Sequence, residues 1–389
     1  MRQKGCVKEC CQAQLALGTL PKPPLHPAPQ LFHRDKGKLP APGMETDTKT
    51  PRWIECARQG RAGLPAETFS IIRKEKETLP SSVLDIKQEK SITKKETLRS
   101  GVRQFQFHPS HSLGIVSTFD NKIRLFDICG DGSRRNTHTA VFKNNAVTGF
   151  CLAQGNRRIV VSGKKNFLYV CDLSEDRVSN PLKMFRRDVG ATERVVADRS
   201  GEYMAHLSVS GDVSILDQKN MQMVSRIEVG KKIKDVSFSE GEVCCFCADG
   251  TVLIWDTRDM KRFRKTVDSG GGGTRLAIGD GLLCCGSSSG VVRLYTVDET
   301  IKEKRTIENL VTQIDTVSLH PSEQLLLVAS SGKKNAARLV NTASGLVYQN
   351  WPGTKTGIVT TGAFSSCGGY VGVGTTAGET ALFQLRHFR

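Results

Sequence analysis

Cysteine and histidine are the residues of this sequence best suited to bind a metal ion or act as nucleophiles. Three of the 13 cysteines lie together near the N-terminus, Cys6, Cys10 and Cys11. Their C-x3-C-C spacing differs from the paired C-x2-C spacing of structural zinc sites, which favours an unstructured tail over a zinc site. Five other cysteines lie inside apolar runs, as small buried hydrophobes do in a reducing compartment: Cys244, Cys245, Cys247, Cys284 and Cys285. We therefore expect no metal and no cofactor.

Two further groupings could carry chemistry. The glycine-rich run over residues 269–274 could cradle a phosphate, but it lacks the Lys-Ser/Thr ending of a P-loop and precedes a short strand, which indicates a flexible loop. The pairs His108-Pro109 and His320-Pro321 each follow an apolar segment and have no convergent partners, which indicates structural turns. The sequence contains no H-E-x-x-H and no paired C-x-x-C motif, and we therefore expect that the protein is not an enzyme.

Lysine pairs mark two turns that occupy equivalent positions in a repeated pattern. Lys164-Lys165 and Lys333-Lys334 each follow a glycine. The formal net charge of the chain is +17, which favours polyanionic neighbours, with RNA the first candidate. We interpret the two pairs as candidate contacts to the phosphate backbone of RNA or to a protein partner. The alternative is that they are solvated hairpin tips.

Proline divides the chain into two parts. Ten of its 14 prolines lie within residues 1–100, seven of them between Pro21 and Pro42. This part has no apolar periodicity and is rich in charged residues, so residues 1–80 are predicted to form a mostly disordered, basic, proline-rich extension. The chain has no run of about 18 apolar residues and no apolar core of signal-peptide length. We therefore expect an intracellular protein that makes no membrane contact.

From Val102 onward, one unit of three short strands recurs seven times. A turn with Gly, Asp or Asn precedes each third strand, and the third strands end at positions 127, 172, 217, 256, 296, 341 and 384. The resulting spacings of 39 to 45 residues are the period of a four-stranded WD blade. The aspartates at four of these ends suit turn-capping hydrogen bonds better than acid–base catalysis: Asp127, Asp172, Asp217 and Asp256.

Seven such units predict an all-β fold, a seven-bladed WD-repeat β-propeller over residues 81–389. The fourth, outer strand of each blade is predicted in the stretch before the next repeat. Examples are residues 137–142, 223–228 and 345–349. The seventh repeat has no room for its own outer strand, and residues 81–98, in particular 82–87, are predicted to supply it. Closing the ring in this way removes an unpaired sheet edge.

Several segments of the repeats are more distinctive than the blade pattern requires. They are residues 84–87, 105–109, 166–172, 285–295, 309–321, 336–340 and 381–387. Among them, the Asn-Leu-Val-Thr run from Asn309 and the Ala-Arg-Leu-Val run from Ala337 occur in one blade. Together these segments, across about residues 80–389, resemble the U3 small nucleolar RNA-associated protein 18 family.

The resemblance implies a non-enzymatic scaffold subunit of the small-subunit processome in the nucleolus, within the nucleus. Its implied partners are other processome WD-repeat proteins, the U3 small nucleolar ribonucleoprotein, and the precursor ribosomal RNA that is processed towards 18S rRNA. Some family members carry a Leu-Phe-x-Val-Asp-like motif that docks an exosome-associated RNA helicase. Here Leu31, Phe32 and Asp35 match that motif, and Arg34 stands where the motif has an apolar residue.

Two other function classes are compatible with a propeller. A ubiquitin-ligase substrate receptor usually has a docking helix or box ahead of the propeller, and this sequence contains no such element. An enzyme built on a propeller would concentrate carboxylates or metal ligands near the central channel, and the sequence shows no such concentration. The leading hypothesis is therefore the nucleolar scaffold, in which a rigid disc holds its neighbours while a basic tail threads among RNA and proteins.

Overall fold

The structure is a computed structural model of the chain. The residues that it describes are 79–80, 82–93, 98–128, 135–142, 145–165, 167–173, 177–178, 182–183, 191–239, 241–298, 300–353 and 356–388. The predicted extension therefore lies outside the described residues up to residue 78. The boundary proposed at residues 80/81 stays a prediction.

Seven antiparallel sheets follow one another along the chain and form the blades of a ring, which confirms the predicted all-β, seven-bladed propeller. In blades 1 to 5 the strands run in sequence order from an inner strand a, through b and c, to an outer strand d, and in blades 6 and 7 strands a, b and c follow one another in the same way. The a strands of successive blades contact one another around the centre of the ring.

The blades succeed one another in chain order, after a first strand that precedes blade 1. The strands are β1 (Ile86–Glu89); β2 (Val102–Phe107), β3 (Leu113–Thr118), β4 (Lys122–Asp127) and β5 (Arg135–Val141) in blade 1; β6 (Val147–Ala153), β7 (Arg158–Gly163), β8 (Phe167–Asp172), β9 (Arg177–Val178) and β10 (Leu182–Lys183) in blade 2; β11 (Thr192–Ala197), β12 (Tyr203–Ser208), β13 (Val213–Asp217) and β14 (Met223–Ile227) in blade 3; β15 (Ile233–Ser239), β16 (Glu242–Cys247), β17 (Thr251–Asp256) and β18 (Asp259–Asp268) in blade 4; β19 (Gly273–Ile278), β20 (Leu282–Ser287), β21 (Val292–Val297) and β22 (Ile301–Ile307) in blade 5; β23 (Thr316–Leu319), β24 (Leu325–Ala329) and β25 (Ala337–Asn341) in blade 6; and β26 (Val359–Phe364), β27 (Tyr370–Thr375) and β28 (Thr380–Leu385) in blade 7.

Strand b is the most buried strand of a blade because neighbouring blades pack against both of its faces. In β16, which reads Glu-Val-Cys-Cys-Phe-Cys, every residue after Glu242 is buried. A short apolar run without alternation is the expected sequence of such a strand. The outer strand β18 of the same blade is exposed at most of its positions. The apolar runs of the sequence therefore mark the strands on which the ring is built.

The hydrophobic core is divided among the gaps between blades. Seven clusters of buried side chains fill the seven gaps, so each blade shares a core with both of its neighbours. The cluster between blades 6 and 7, for example, contains Leu327, Trp351 and Phe383. Because no blade encloses a core of its own, stability depends on an unbroken ring of contacts.

The ring is closed by a strand from the N-terminal side of the repeats. β1 pairs antiparallel with β28, from Ile86 opposite Leu385 to Glu89 opposite Leu382, and becomes the outer strand of blade 7. It begins four residues later than the predicted segment 82–87. The reason lies at Leu84, whose backbone N–H and C=O bond the Asn350 side chain at 3.4 and 2.6 Å and are withdrawn from strand pairing.

Two outer strands match their predicted positions and one does not. β5 and β14 overlie the predicted segments 137–142 and 223–228, which confirms them. The predicted strand over residues 345–349 was wrong, because only an isolated bridge between Val347 and Val340 forms there. Tyr348 turns into the core and donates its hydroxyl to Pro80 O at 3.0 Å.

Leu84 offers a test of ring closure. Its side chain is 0% exposed and packs in the core between blades 6 and 7, whereas the adjacent Val83 is 58% exposed. Truncating a buried leucine to alanine costs about 2–5 kcal/mol, so Leu84→Ala is expected to lower the free energy of unfolding by that amount. Urea unfolding measures the change. Val83→Ala is the control and should differ little from wild type; equal midpoints for all three proteins would contradict this role of Leu84.

Candidate functional site

The inner strands carry polar side chains, close to their N-terminal ends, that connect neighbouring blades. Between blades 1 and 2, Gln104 Nε2 donates to Phe150 O at 2.9 Å, and Phe150 N donates back to Gln104 Oε1 at 3.0 Å. Between blades 3 and 4, Arg194 Nη1 lies 2.7 Å from the fully buried carboxylate of Asp235. These groups therefore serve the junctions between blades.

Further polar groups of the inner strands continue the connection around the ring. The Asp235 carboxylate also accepts the Leu276 N–H at 2.9 Å, which joins blade 4 to blade 5. Thr316 Oγ1 donates to Thr360 O at 3.1 Å, and Thr360 Oγ1 donates to Val102 O at 2.6 Å, which joins blades 6, 7 and 1. The arrangement holds the blades in register, and these side chains are used in hydrogen bonds between blades.

The two His-Pro turns join blades at the opposite ends of their inner strands. His108 Nδ1 accepts backbone N–H groups from Ser110 and His111 at 3.2 and 3.1 Å, so the proton lies on Nε2, which donates to Asn156 O of blade 2 at 2.7 Å. A histidine with two backbone donors at Nδ1 is held in the neutral form. The geometry is that of a structural turn, as predicted.

His320 repeats this arrangement between blades 6 and 7. Its Nδ1 accepts the Ser322 N–H at 3.0 Å, and its Nε2 donates to Gly368 O at 2.9 Å. Burial lowers the pKa of both His108 and His320 below the usual value of 6.5. The folded protein therefore favours the neutral form of both imidazole rings.

The face of the disc that bears the b–c hairpins also bears the connections between blades, and we call it the hairpin face. The residue after strand b donates its N–H to the preceding connection in six blades. The residues are Phe119, Lys164, Val209, Ala248, Ser288 and Thr376. Phe119 and Val209 flank Lys164 in ring order and are 47% and 46% exposed. Blades 1 to 3 thus present large side chains here, and the others present small ones.

The predicted lysine tips lie on this hairpin face. Lys164 and Lys165 are exposed in the β7–β8 hairpin, and Lys333 and Lys334 are exposed in the β24–β25 hairpin. Blades 1 and 7 separate the two hairpins, so the structure does not combine the four lysines into one site. Among the described residues, none of the four makes an ion pair. They can attract phosphate or carboxylate groups at two separate places.

Two exposed features of the structure were not predicted from the sequence. The first is Phe119, over whose ring the Arg103 guanidinium lies at 4.6 Å from the centroid. The second is the outer edge of blades 4 and 5, where β18 and β22 carry seven Lys and Arg residues. The signal in the sequence was the basic run Lys261-Arg-Phe-Arg-Lys265, which lies outside the apolar repeat pattern.

The remaining polar groupings have structural surroundings. The glycine-rich run connects blades 4 and 5, where Gly250 has a φ of +96° and a Cβ at that residue would collide with Gly271 O. At the strand ends, Asp217 and Asp256 accept backbone N–H groups two residues later at 2.8 and 2.9 Å, as turn caps do. Asp172 instead pairs with Arg158 at 3.3 Å.

The described cysteines lie mainly in the core. Seven of the eight are buried, including all five from the apolar runs. Burial raises the pKa of the Cys151 and Cys171 thiols to about 12, so they remain protonated and unreactive at neutral pH. Within the described part of the chain, no three His, Cys, Asp or Glu side chains gather as metal ligands. The cluster Cys6, Cys10 and Cys11 lies outside it, as does the motif of Leu31, Phe32 and Asp35.

A cleft of about 470 Å³ lies on the face opposite the hairpins, between blades 5 and 6. Lys304, Glu323 and Asn341 are among the residues that line it. Glu323 Oε1 accepts the backbone N–H groups of Asp280 and Gly281 at 2.5 and 3.3 Å, which ties blade 6 to blade 5. The carboxylate is thus occupied by backbone groups.

The chain is similar in sequence to curated proteins from several eukaryotes. The chain is 27% identical over 338 residues to the "Probable U3 small nucleolar RNA-associated protein 18" of Schizosaccharomyces pombe, covering 82% of this chain and 64% of that protein. It is 25% identical over 329 residues to the human "U3 small nucleolar RNA-associated protein 18 homolog", covering 80% of this chain and 58% of that protein.

The resemblance to U3 small nucleolar RNA-associated protein 18 is confirmed. The Arabidopsis thaliana homolog of that name is 25% identical over 300 residues, covering 74% of this chain and 55% of that protein. This chain therefore spans about 55–64% of the length of these three relatives. No protein-family model matches it. No helix among the described residues is long and apolar enough to cross a bilayer.

The two clamping histidines predict a pH dependence of stability. Their pKa is lowered in the folded protein, so below pH 6.5 the unfolded chain binds more protons than the folded one. The free energy of unfolding is therefore expected to fall as the pH drops from about 6.5 to about 5. In the double variant H108Q/H320Q the free energy of unfolding should fall less steeply with decreasing pH. Part of the decline should remain in this variant because burial also lowers the pKa of His206, to about 4.

Urea unfolding at a series of pH values measures this dependence. The control is Ser110→Ala, which changes an exposed side chain in the same turn, removes no titratable group and keeps the backbone N–H that bonds His108. If H108Q/H320Q keeps the full wild-type slope, the neutral clamps contribute nothing to pH dependence.

Proposed function

We propose that this protein is a non-enzymatic scaffold subunit of the nucleolar small-subunit processome, where it associates with the U3 ribonucleoprotein and supports processing of precursor ribosomal RNA towards 18S rRNA. The observation that carries the proposal is the similarity, across the propeller, to proteins named for their association with U3 small nucleolar RNA. The nucleus and nucleolus follow as its proposed location.

The chemistry of the described residues supports binding over catalysis. The polar side chains of the inner strands connect blades, the two histidines hold turns, and the thiols of seven cysteines are buried. A closed ring whose blades share their cores is rigid, and a rigid body can hold several neighbours at fixed positions. We propose that other processome WD-repeat proteins and RNA are those neighbours.

The exposed lysines suit this role. Lys164 and Lys165 of blade 2 and the exposed Phe119 and Val209 of the neighbouring blades combine charge with apolar surface on the hairpin face, as partner-binding surfaces do. With a net charge of +17, the chain is attracted to the polyanionic environment of a pre-ribosomal particle. We therefore propose the two lysine hairpins as contacts to RNA or to acidic surfaces of partners.

A cell extract tests the scaffold proposal. The tagged chain should sediment in a large particle that RNase reduces in size, and U3 RNA should be recovered with it. Sedimentation alone, or with ubiquitin-ligase subunits and without U3 RNA, would overturn the proposal.

The same extract tests the lysine hairpins. The variant K164Q/K165Q/K333Q/K334Q should recover less U3 RNA than wild type because four cations are lost from the hairpin face. The control R199Q/K219Q removes two exposed cations from the opposite face and should recover the wild-type amount.

The segment containing Leu31, Phe32 and Asp35 is proposed to dock an exosome-associated RNA helicase. A peptide of residues 20–45 is expected to retain the helicase in a pulldown, and L31A/F32A is expected to abolish retention because the two large apolar anchors are removed. Arg34→Val restores the apolar residue of the motif and should strengthen retention. Equal recovery by all three peptides would reject docking at this segment.

A further inference from the structure

The outer strands of blades 4 and 5 concentrate positive charge. The seven cations are Lys261, Arg262, Arg264, Lys265, Lys302, Lys304 and Arg305. The acidic residues on these two strands are Asp259, Asp268 and Glu303. By contrast, Lys87, Arg135 and Arg226 are the cations of β1, β5 and β14, one in each. We call the surface formed by β18 and β22 the basic rim.

Most of this charge faces solvent without a carboxylate partner. Arg264 is paired, with Nη2 at 2.6 Å from Asp256. Lys265 Nζ donates to Asp298 O at 2.7 Å, which reaches from blade 4 to blade 5 and makes the rim continuous across the two blades. Among the described residues, the other five cations form no ion pair. They are free to bind an external anion.

An aromatic ring lies within the basic run of β18. Phe263 is 52% exposed, and its inner edge makes a T-shaped contact with Trp255 at 6.2 Å between ring centroids. Lysine on an outer strand is a common protection against edge-to-edge aggregation, which accounts for charge but not for an exposed phenylalanine. Aromatic rings among basic residues are how proteins without base specificity hold single-stranded nucleic acid, by stacking on bases and contacting phosphates.

The strand geometry disfavours the other anionic ligand, an acidic peptide added as a further strand. Such a peptide needs a regular row of free backbone groups. The pairing of β17 with β18 shifts register between Ile254 and Trp255 and again between Trp255 and Asp256. These irregularities interrupt the edge at the place where the charges are densest.

We propose that the basic rim binds single-stranded RNA. Phe263 stacks on a base and Lys261 and Arg262 contact the phosphates beside it, while the cations of β22 contact phosphates farther along the same strand. This inference deepens the proposed function, since it names a surface through which RNA would be held. The stated contacts are independent of base identity, so the rim is expected to bind RNA with little sequence preference.

The full chain and a fluorescent oligouridylate of about a dozen nucleotides test the proposal by anisotropy over a range of salt concentrations. Phe263→Leu should weaken binding about tenfold while leaving the salt dependence unchanged, because one stacked base is lost and no phosphate contact. The variant R262Q/K302Q should lower the slope of log Kd against log salt by about 0.7 for each phosphate contact removed. R199Q/K219Q is matched in charge and should bind as wild type.

Each other outcome overturns the proposal. If R199Q/K219Q weakens binding as much as R262Q/K302Q, only net charge matters. If polyglutamate displaces the RNA from wild type and Phe263→Leu with equal efficiency, the rim is a general anion surface. Thermal melting confirms that each variant is folded, and ultraviolet crosslinking of wild type should label the peptide that contains Phe263. Labelling elsewhere alone excludes the rim without relying on any variant.

These results are separable from the fate of the proposed function. If the rim variants do not change oligouridylate binding but U3 RNA is still recovered from extract, RNA binding by the basic rim is overturned and the scaffold proposal stands. If the rim variants weaken oligouridylate binding as expected but U3 RNA is not recovered from extract, RNA binding by the basic rim is supported and the scaffold proposal is overturned.

Discussion

The pairing of β1 with β28 is the interaction on which the rest of the molecule depends. Seven cores lie between blades and none lies within a blade, so each core needs both of its walls. Without β1, blade 7 would present an open edge, and Leu84 would be absent from the core that it shares with blade 6. The side-chain contacts between the inner strands and the hydrogen bonds of His108 and His320 then stabilise a ring that is already closed.

Closure also determines where recognition can occur. Because strands a and b are packed between the blades, the surfaces that partners can reach are the hairpin face, the opposite face and the rim. Their chemistry differs from blade to blade: Phe119, Lys164 and Val209 on the hairpin face, and the cations around Phe263 on the rim. A uniform scaffold can therefore present distinct surfaces in distinct directions.

The strands that could be predicted from the sequence are those whose burial imposes a pattern. Strands b and c are apolar on both faces and end in turn residues, so the ends of β4, β8, β13, β17 and β25 coincide with prediction. Outer strands are exposed and need no apolar pattern, which is why residues 345–349 were assigned wrongly. The start of β1 was displaced for a similar reason, since the capping of Leu84 by Asn350 joins residues 266 positions apart. Surface features such as the Arg103–Phe119 stack depend on the same long-range geometry.

The closing pair joins two segments from opposite ends of the propeller sequence, Ile86–Glu89 and Thr380–Leu385. Ribosomes add about 5–20 residues per second, so about 15–60 s separate the synthesis of the two strands. During that interval blade 1 shares a core with blade 2 only, and the face of blade 1 that will meet blade 7 stays uncovered. The ring can therefore close only after almost all of the propeller has been synthesised. Until then the incomplete ring exposes apolar surface of the kind that chaperones bind.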